Sequence, residues 1–238
     1  RRPHRVANGN TTLRLRLHCS PNILAEGPSP MHPNPIFRST DAARSIAFVR
    51  ERGFGTLSLN GPTHPVLAHV PFLVNDDATE LELHFMRSNP IWQALDDDKP
   101  AILAVMGPDG YISPDWYEVP DQVPTWNYVA VHLHGTLRRI QHQDLHGVLE
   151  RLSAHFEARL APKTPWHSSK MTEGVMDRMM RMIVPCRMTI TDLHSTWKLS
   201  QNKPDDVRLR AAAQVQTGTG SELAALAALM QAPHNPTE

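Results

Sequence analysis

The chain has 238 residues, 40% hydrophobic and 20% charged, which excludes global disorder and allows one large domain or two small ones. Its two cysteines, Cys19 and Cys186, lie far apart, which excludes a disulfide framework or a cysteine zinc motif and fits a reducing cytoplasm. Formal net charge is zero, and no apolar run approaches the ~18 residues needed to span a bilayer.

The charge is unevenly spread. Residues 1–30 hold five Arg and one Glu, residues 31–137 six basic and thirteen acidic groups, and residues 138–210 thirteen basic and eight acidic groups. The second half therefore permits a basic face, although scattered solvated charges are the simpler reading.

Residues 1–30, with Arg1, Arg2, Arg5, Arg14 and Arg16 among Asn, Thr and Pro, lack the apolar core of a secretory signal. They read as a disordered leader or a tail foreign to the domain, with Met31 as a natural start. A helix is expected over Thr40–Arg52, capped by Ser39 or Thr40 and closed by Gly53. Thr56–Asn60 and Pro65–Val74 read as strands, the second carrying His69 and interrupted by Pro71, which suggests an edge or a bulge.

Leu81–Met86 alternates: Leu81, Leu83 and Phe85 point one way, Glu82, His84 and Met86 the other, which is a strand with one apolar face. Asn89 and Pro90 then open a short helix as N-cap and first residue. Arg87, Ser88 and Asn89 sit between the two elements. A guanidinium, a hydroxyl and an amide beside a helix N-terminus make a candidate anion site, and phosphate is its natural guest.

Ala101–Met106 is a continuous apolar strand, Pro108-Asp109-Gly110 a tight turn, and Tyr111–Ser113 is expected to pair back across it. Thr125–Ile140 is long and mostly β, with Gly135 at a bulge or bend. At least six strands with short turns indicate an antiparallel barrel. Asp144–Leu160 is an amphipathic helix. A second helix from Thr172 carries Met176, Met179 and Met180 on an apolar side that reads as plastic core. Cys186–Leu193 is a last strand; Asp205–Ala213 and Ser221–Met230 are helix candidates. No P-loop or G-x-G-x-x-G is present, which disfavours a Rossmann fold.

Histidines 132 and 134 lie two apart on a strand and face one side. With His69 or His84 they could ligate a metal, though a pair of partly exposed strand histidines is the simpler reading. The rings of Trp116, Tyr117, Trp126 and Tyr128, and Trp197 with the amides of Gln201 and Asn202, suit either the walls of a planar cofactor site or an ordinary aromatic core.

Four segments carry a resemblance: His84-Phe-Met-Arg-Ser-Asn-Pro-Ile-Trp92, Tyr111-Ile-Ser-Pro-Asp-Trp-Tyr117, Val123-Pro-Thr-Trp-Asn-Tyr-Val-Ala-Val-His132 and Trp197-Lys-Leu-Ser-Gln-Asn202. In this order, from about Met31 to Met230, the chain resembles the PaiB-like family of FMN-binding negative transcriptional regulators. The resemblance implies an α+β fold: an antiparallel split β-barrel that binds FMN, with flanking helices, related in fold to pyridoxamine 5′-phosphate oxidase. It also implies a homodimer with FMN near the subunit interface. Arg87, Ser88 and Asn89 fall where split barrels hold the FMN phosphate. His69 lies on the strand that runs along the isoalloxazine, and His84 ends the adjacent one. Trp126 and Asn127 match the family's Trp-Asn motif and Gln201 its C-terminal motif; the resemblance directs these toward the flavin or the dimer seam. The expected organisation is a leader at 1–30, a split-barrel domain at 31–203 and a helical tail at 204–238.

The family name implies a cytoplasmic repressor that binds DNA. Residues 31–238 carry 19 basic and 23 acidic groups, which weakens that implication, since phosphate contacts dominate DNA affinity. The alternative is an FMN-dependent oxidoreductase. No residue stands out as an essential acid or base, so enzymatic activity is open. A third reading is a barrel that stores flavin or haem.

Overall fold

A computed structural model describes residues 31–233; the leader expected at 1–30 lies outside the described residues. In chain order the elements are α1 (Ala42–Arg52), β1 (Phe54–Asn60), β2 (Pro65–Val74), β3 (Glu80–Met86), α2 (Pro90–Ala94), β4 (Lys99–Ile112), β5 (Thr125–Arg139), α3 (Leu145–Ala158), α4 (Val175–Met180), β6 (Ile183–Lys198), α5 (Asp205–Gln214), β7 (Gly220–Ser221) and α6 (Leu223–Gln231).

Antiparallel pairing runs β1-β2-β3-β6-β5-β4, and β4 pairs back onto β1, so the ladder closes into a ring. Period-two alternation explains its filling. Leu57, Leu59, Val70, Phe72, Leu81, Leu83, Leu103, Val131 and Leu133 point inward and are buried in one core. Truncating one such leucine to alanine costs about 2–5 kcal/mol.

The wall is split on one side. The β2–β3 ladder spans only Phe72↔Leu83 to Val74↔Leu81, and β6 leaves β3 beyond Thr189. The first half of β2 and the last half of β6 therefore have no common neighbour. Pro71 sits where β2 has β1 alone as partner, so its missing N–H leaves no ladder bond unmade. Helix α1 packs at the gap: Val49 enters the barrel core, and Phe48 meets the Trp197 ring edge-on at 5.5 Å. From α2, Ile91 is buried in the same core, as is Leu95 just beyond it.

A second core lies beyond the barrel. Ile112, Tyr117, Val129, Trp197 and Leu199 pack with Val207, Ala211, Val215, Leu226 and Met230 of the C-terminal helices. Residues 204–233 thus cover the ends of β4, β5 and β6.

Several boundaries differ from the sequence reading. Asp41, not Ser39 or Thr40, caps α1, its Oδ1 accepting from Arg44 N at 2.7 Å. Pro108-Asp109-Gly110 is not a turn. β4 runs straight through it with a bulge between Met106 and Asp109, because β5 continues to pair with both flanks. The methionine helix is short, and none of its residues is buried; Met179 is exposed, since α4 lies on the surface rather than against a core. The bulge expected at Gly135 is present, between His134 and Gly135 on the β6 side. Among the described residues, no helix is long and apolar enough to cross a membrane.

Candidate functional site

The β3–α2 junction follows from its residues. Leu83 and Phe85 anchor β3 in the core while His84 and Met86 face out. Asn89 caps α2, its Oδ1 accepting from Ile91 N at 2.9 Å. At five residues α2 carries little macrodipole, and the cap consumes one helix N–H, so anion binding rests mainly on side chains. Arg87 is exposed but held: its backbone N–H donates to Met182 O at 2.8 Å and its Nε to Arg181 O at 3.2 Å. Those bonds steady the exposed side chain at its Nε. The exposed Ser88 hydroxyl and the Asn89 side-chain Nδ2 complete a donor set of a kind suited to a phosphate dianion, the Asn89 backbone N–H being donated to Met86 O at 2.8 Å. Buried, unpartnered His84 Nδ1 lies three residues away, and burial holds its pKa below the ordinary histidine value, keeping the ring neutral.

Beside this junction the barrel wall is bare. Phe54 is 56% exposed, Leu67 60%, Ile102 36% and Met106 55%. Register places all four on the outer face of β1, β2 and β4. Paired residues cross this face in one row, His69↔Thr56↔Ala104↔His132↔His194. His69 Nδ1 lies 3.0 Å from Thr56 Oγ1. His134 stacks toward His194 with ring centroids 4.7 Å apart, and His194 Nε2 meets Asp192 Oδ2 at 2.8 Å. Burial, then the neighbouring imidazoles, lowers the pKa of His132 and His134. These rings do not gather with His84 around a point: among the described residues no group of three or more His, Cys, Asp or Glu could hold a metal.

The remaining expected residues divide. Trp126, 45% exposed, shares the outward side of β5 with His132 and His134. Asn127 points the other way. It is fully buried in the second core, its Nδ2 donating to Ser200 Oγ at 2.8 Å, so it is closed to a ligand from the surface. Gln201 is also spent internally: Oε1 accepts from Leu199 N, and Nε2 donates to Trp197 O and Ile36 O. Both motifs therefore tie the end of the barrel together through internal hydrogen bonds. Sequence reasoning missed the bare face. Its signal was Leu67 on the otherwise outward phase of β2, an apolar residue where alternation calls for a polar one.

An antiparallel ladder that returns from β4 to β1, with a split wall and flanking helices, is the fold of a split barrel. The family described as "Putative FMN-binding domain" matches residues 31–192. The chain belongs to this family, and FMN is its cofactor. It is 28% identical over 197 residues to "Protease synthase and sporulation protein PAI 2" of Bacillus subtilis, covering 82% of this chain and 94% of that protein. Two solved structures share its fold. The FAD and heme binding protein from Mycobacterium smegmatis has a TM-score of 0.50 at 20% identity, covering 77% of this chain and 82% of that one. A conserved hypothetical protein from Mycobacterium tuberculosis has a TM-score of 0.50 at 18% identity, covering 71% of this chain and 91% of that one.

Proposed function

We propose that the protein is a cytoplasmic homodimer that holds FMN on the bare barrel face and acts as a negative regulator of transcription. The supporting observation is an uncovered apolar sheet face on β1, β2 and β4 in a chain that also holds an exposed arginine at the end of β3. Arg87, Ser88 and Asn89 hold the phosphate. Phe54, Leu67, Met106 and His69 offer a surface for a planar ring and for a second copy, which would cover the apolar area. Trp126, on the same side of β5, lies toward the dimer seam. The regulatory role rests on the PaiB-like resemblance and on the protease synthesis and sporulation named for the Bacillus subtilis relative.

Flavin titration followed by fluorescence tests the site. Arg87→Ala removes a charge-assisted contact and should weaken FMN binding about ten- to a hundredfold at unchanged melting temperature. Unchanged affinity would remove Arg87 from the site. Leu67→Asp should yield monomers in sedimentation. For regulation, the dimer should bind DNA upstream of its target genes with a steep loss of affinity as salt rises; no binding at low salt would rule the role out.

The histidine band favours a second reading, an FMN-dependent oxidoreductase. When bound, FMN supplies hydride and electron transfer. His132 and His134 stand on the same face as neutral imidazoles able to give or take a proton. Oxidation of a reduced nicotinamide at turnover rates, lost on His132→Gln, would favour the enzyme over the regulator.

A further inference from the structure

We propose that the groove between α1 and α6 is a second binding site, for an amphipathic monocarboxylate: an alkyl or aryl body ending in one carboxylate. Helix α6 is apolar around its whole circumference. Leu226, Ala227 and Met230 are buried in the second core, while Ala225, Ala228 and Ala232 on other sides are exposed and line the groove. A helix apolar on all sides is normally covered on all sides. Here the small side chains leave a groove of about 590 Å³, within the range of small-molecule sites. Its floor is Phe48 and Trp197, and the indole is fixed by Nε1 donating to buried Ser45 Oγ at 3.3 Å.

The charges at its rim select the ligand. At one end Arg52 is already neutralised, donating to both oxygens of Glu222 at 2.6 and 2.7 Å, and Glu51 stands beside it. At the other end the half-buried Arg44 guanidinium lies 4.9 Å above the Trp197 ring and makes no ion pair among the described residues. Arg44 and Arg52 are two helical turns apart, about 12 Å. One carboxylate therefore finds a partner at Arg44, the apolar body lies along the alanine stripe, and a second acid at the far end would meet Glu51 and Glu222. The same acidic end disfavours a phosphorylated flavin. The inference does not depend on where FMN binds.

Calorimetric titration of the FMN-loaded full chain tests it, with decanoate, decanol and decylammonium as probes. Decanoate should bind about tenfold more tightly than decanol, and decylammonium should not bind. Arg44→Leu should reduce decanoate affinity about tenfold, to the level of decanol, at unchanged flavin absorbance per chain. Ala228→Trp, or the milder Ala225→Met should the first not fold, should weaken both ligands by filling the groove. Arg87→Ala should strip flavin and leave decanoate binding intact, which separates this site from the flavin site. The proposal is overturned if the parent ignores decanoate, if Arg44→Leu binds it equally, or if Ala228→Trp splits the dimer, which would make the groove a seam between copies.

Discussion

At the scale of single residues, one triad separates packing from binding. Ser200 Oγ meets Tyr117 Oη at 2.9 Å and accepts from Asn127 Nδ2 at 2.8 Å, all within the second core. Ser200→Ala deprives two buried polar groups of their common partner and should cost about 1–3 kcal/mol in urea unfolding. Flavin bound per folded molecule should stay the same; a loss of flavin at full stability would return Asn127 to the cofactor site. Cys186 offers a second check. Burial pushes its thiol up to about 12, so in a Cys19→Ser background a thiol reagent should label nothing in the native state and one group after denaturation. Residue chemistry of this kind was partly legible beforehand. Arg87 and Ser88 are exposed at the strand–helix junction that type and spacing predicted, whereas Asn127 and Gln201 looked equally polar and turned inward. Their direction depends on where α5 and α6 lie, which no local spacing encodes.

At the scale of elements, the bulges decide how long strands close a small barrel. A Cβ added to Gly135 would stand 2.0 Å from Thr189 O, a backbone atom that cannot move without breaking the β5–β6 ladder. Gly135→Ala should cost about 3 kcal/mol. Gly174, also a glycine at an element boundary but with nothing within 4 Å of an added Cβ, carries only the cost of its φ of +74°; Gly174→Ala should cost about 1–2 kcal/mol. Equal losses in thermal unfolding would show that close approach is not what Gly135 is for. Strand periodicity predicted most of these elements. It mistook Pro108-Asp109-Gly110 for a turn because a bulge and a turn use the same residues, and the difference lies in whether the neighbouring strand keeps pairing across them.

At the scale of the whole molecule, the outward histidines of the barrel predict a pH response. His84, His132 and His134 have pKa values held below the ordinary 6.5, by burial and, for the last two, by the neighbouring imidazoles. The unfolded chain then takes up protons that the folded chain refuses, so stability is full above about pH 6.5 and declines as pH falls through that value toward the lowered ones. Melting temperature should be flat above pH 7 and drop between pH 6.5 and 5, with a shallower drop in His132→Gln/His134→Gln. The rim of the face argues the same way. His132 and His134 stand close enough to repel when both are protonated, so acid should also loosen any assembly built on this surface.

Alternation of apolar residues determined, without any tertiary information, that this chain forms a barrel of paired strands. The Arg-Ser-Asn-Pro junction was likewise legible as a strand end followed by a capped helix, because both signals are carried by neighbours in sequence. Only the tertiary structure decided which outward positions remain uncovered. Leu67, Phe54 and Met106 meet on one face because β1, β2 and β4 lie side by side with α1, α3 and the C-terminal helices packed elsewhere. Burial depends on the sum of all neighbours, and a side chain's exposure is not set by the residues beside it in the chain.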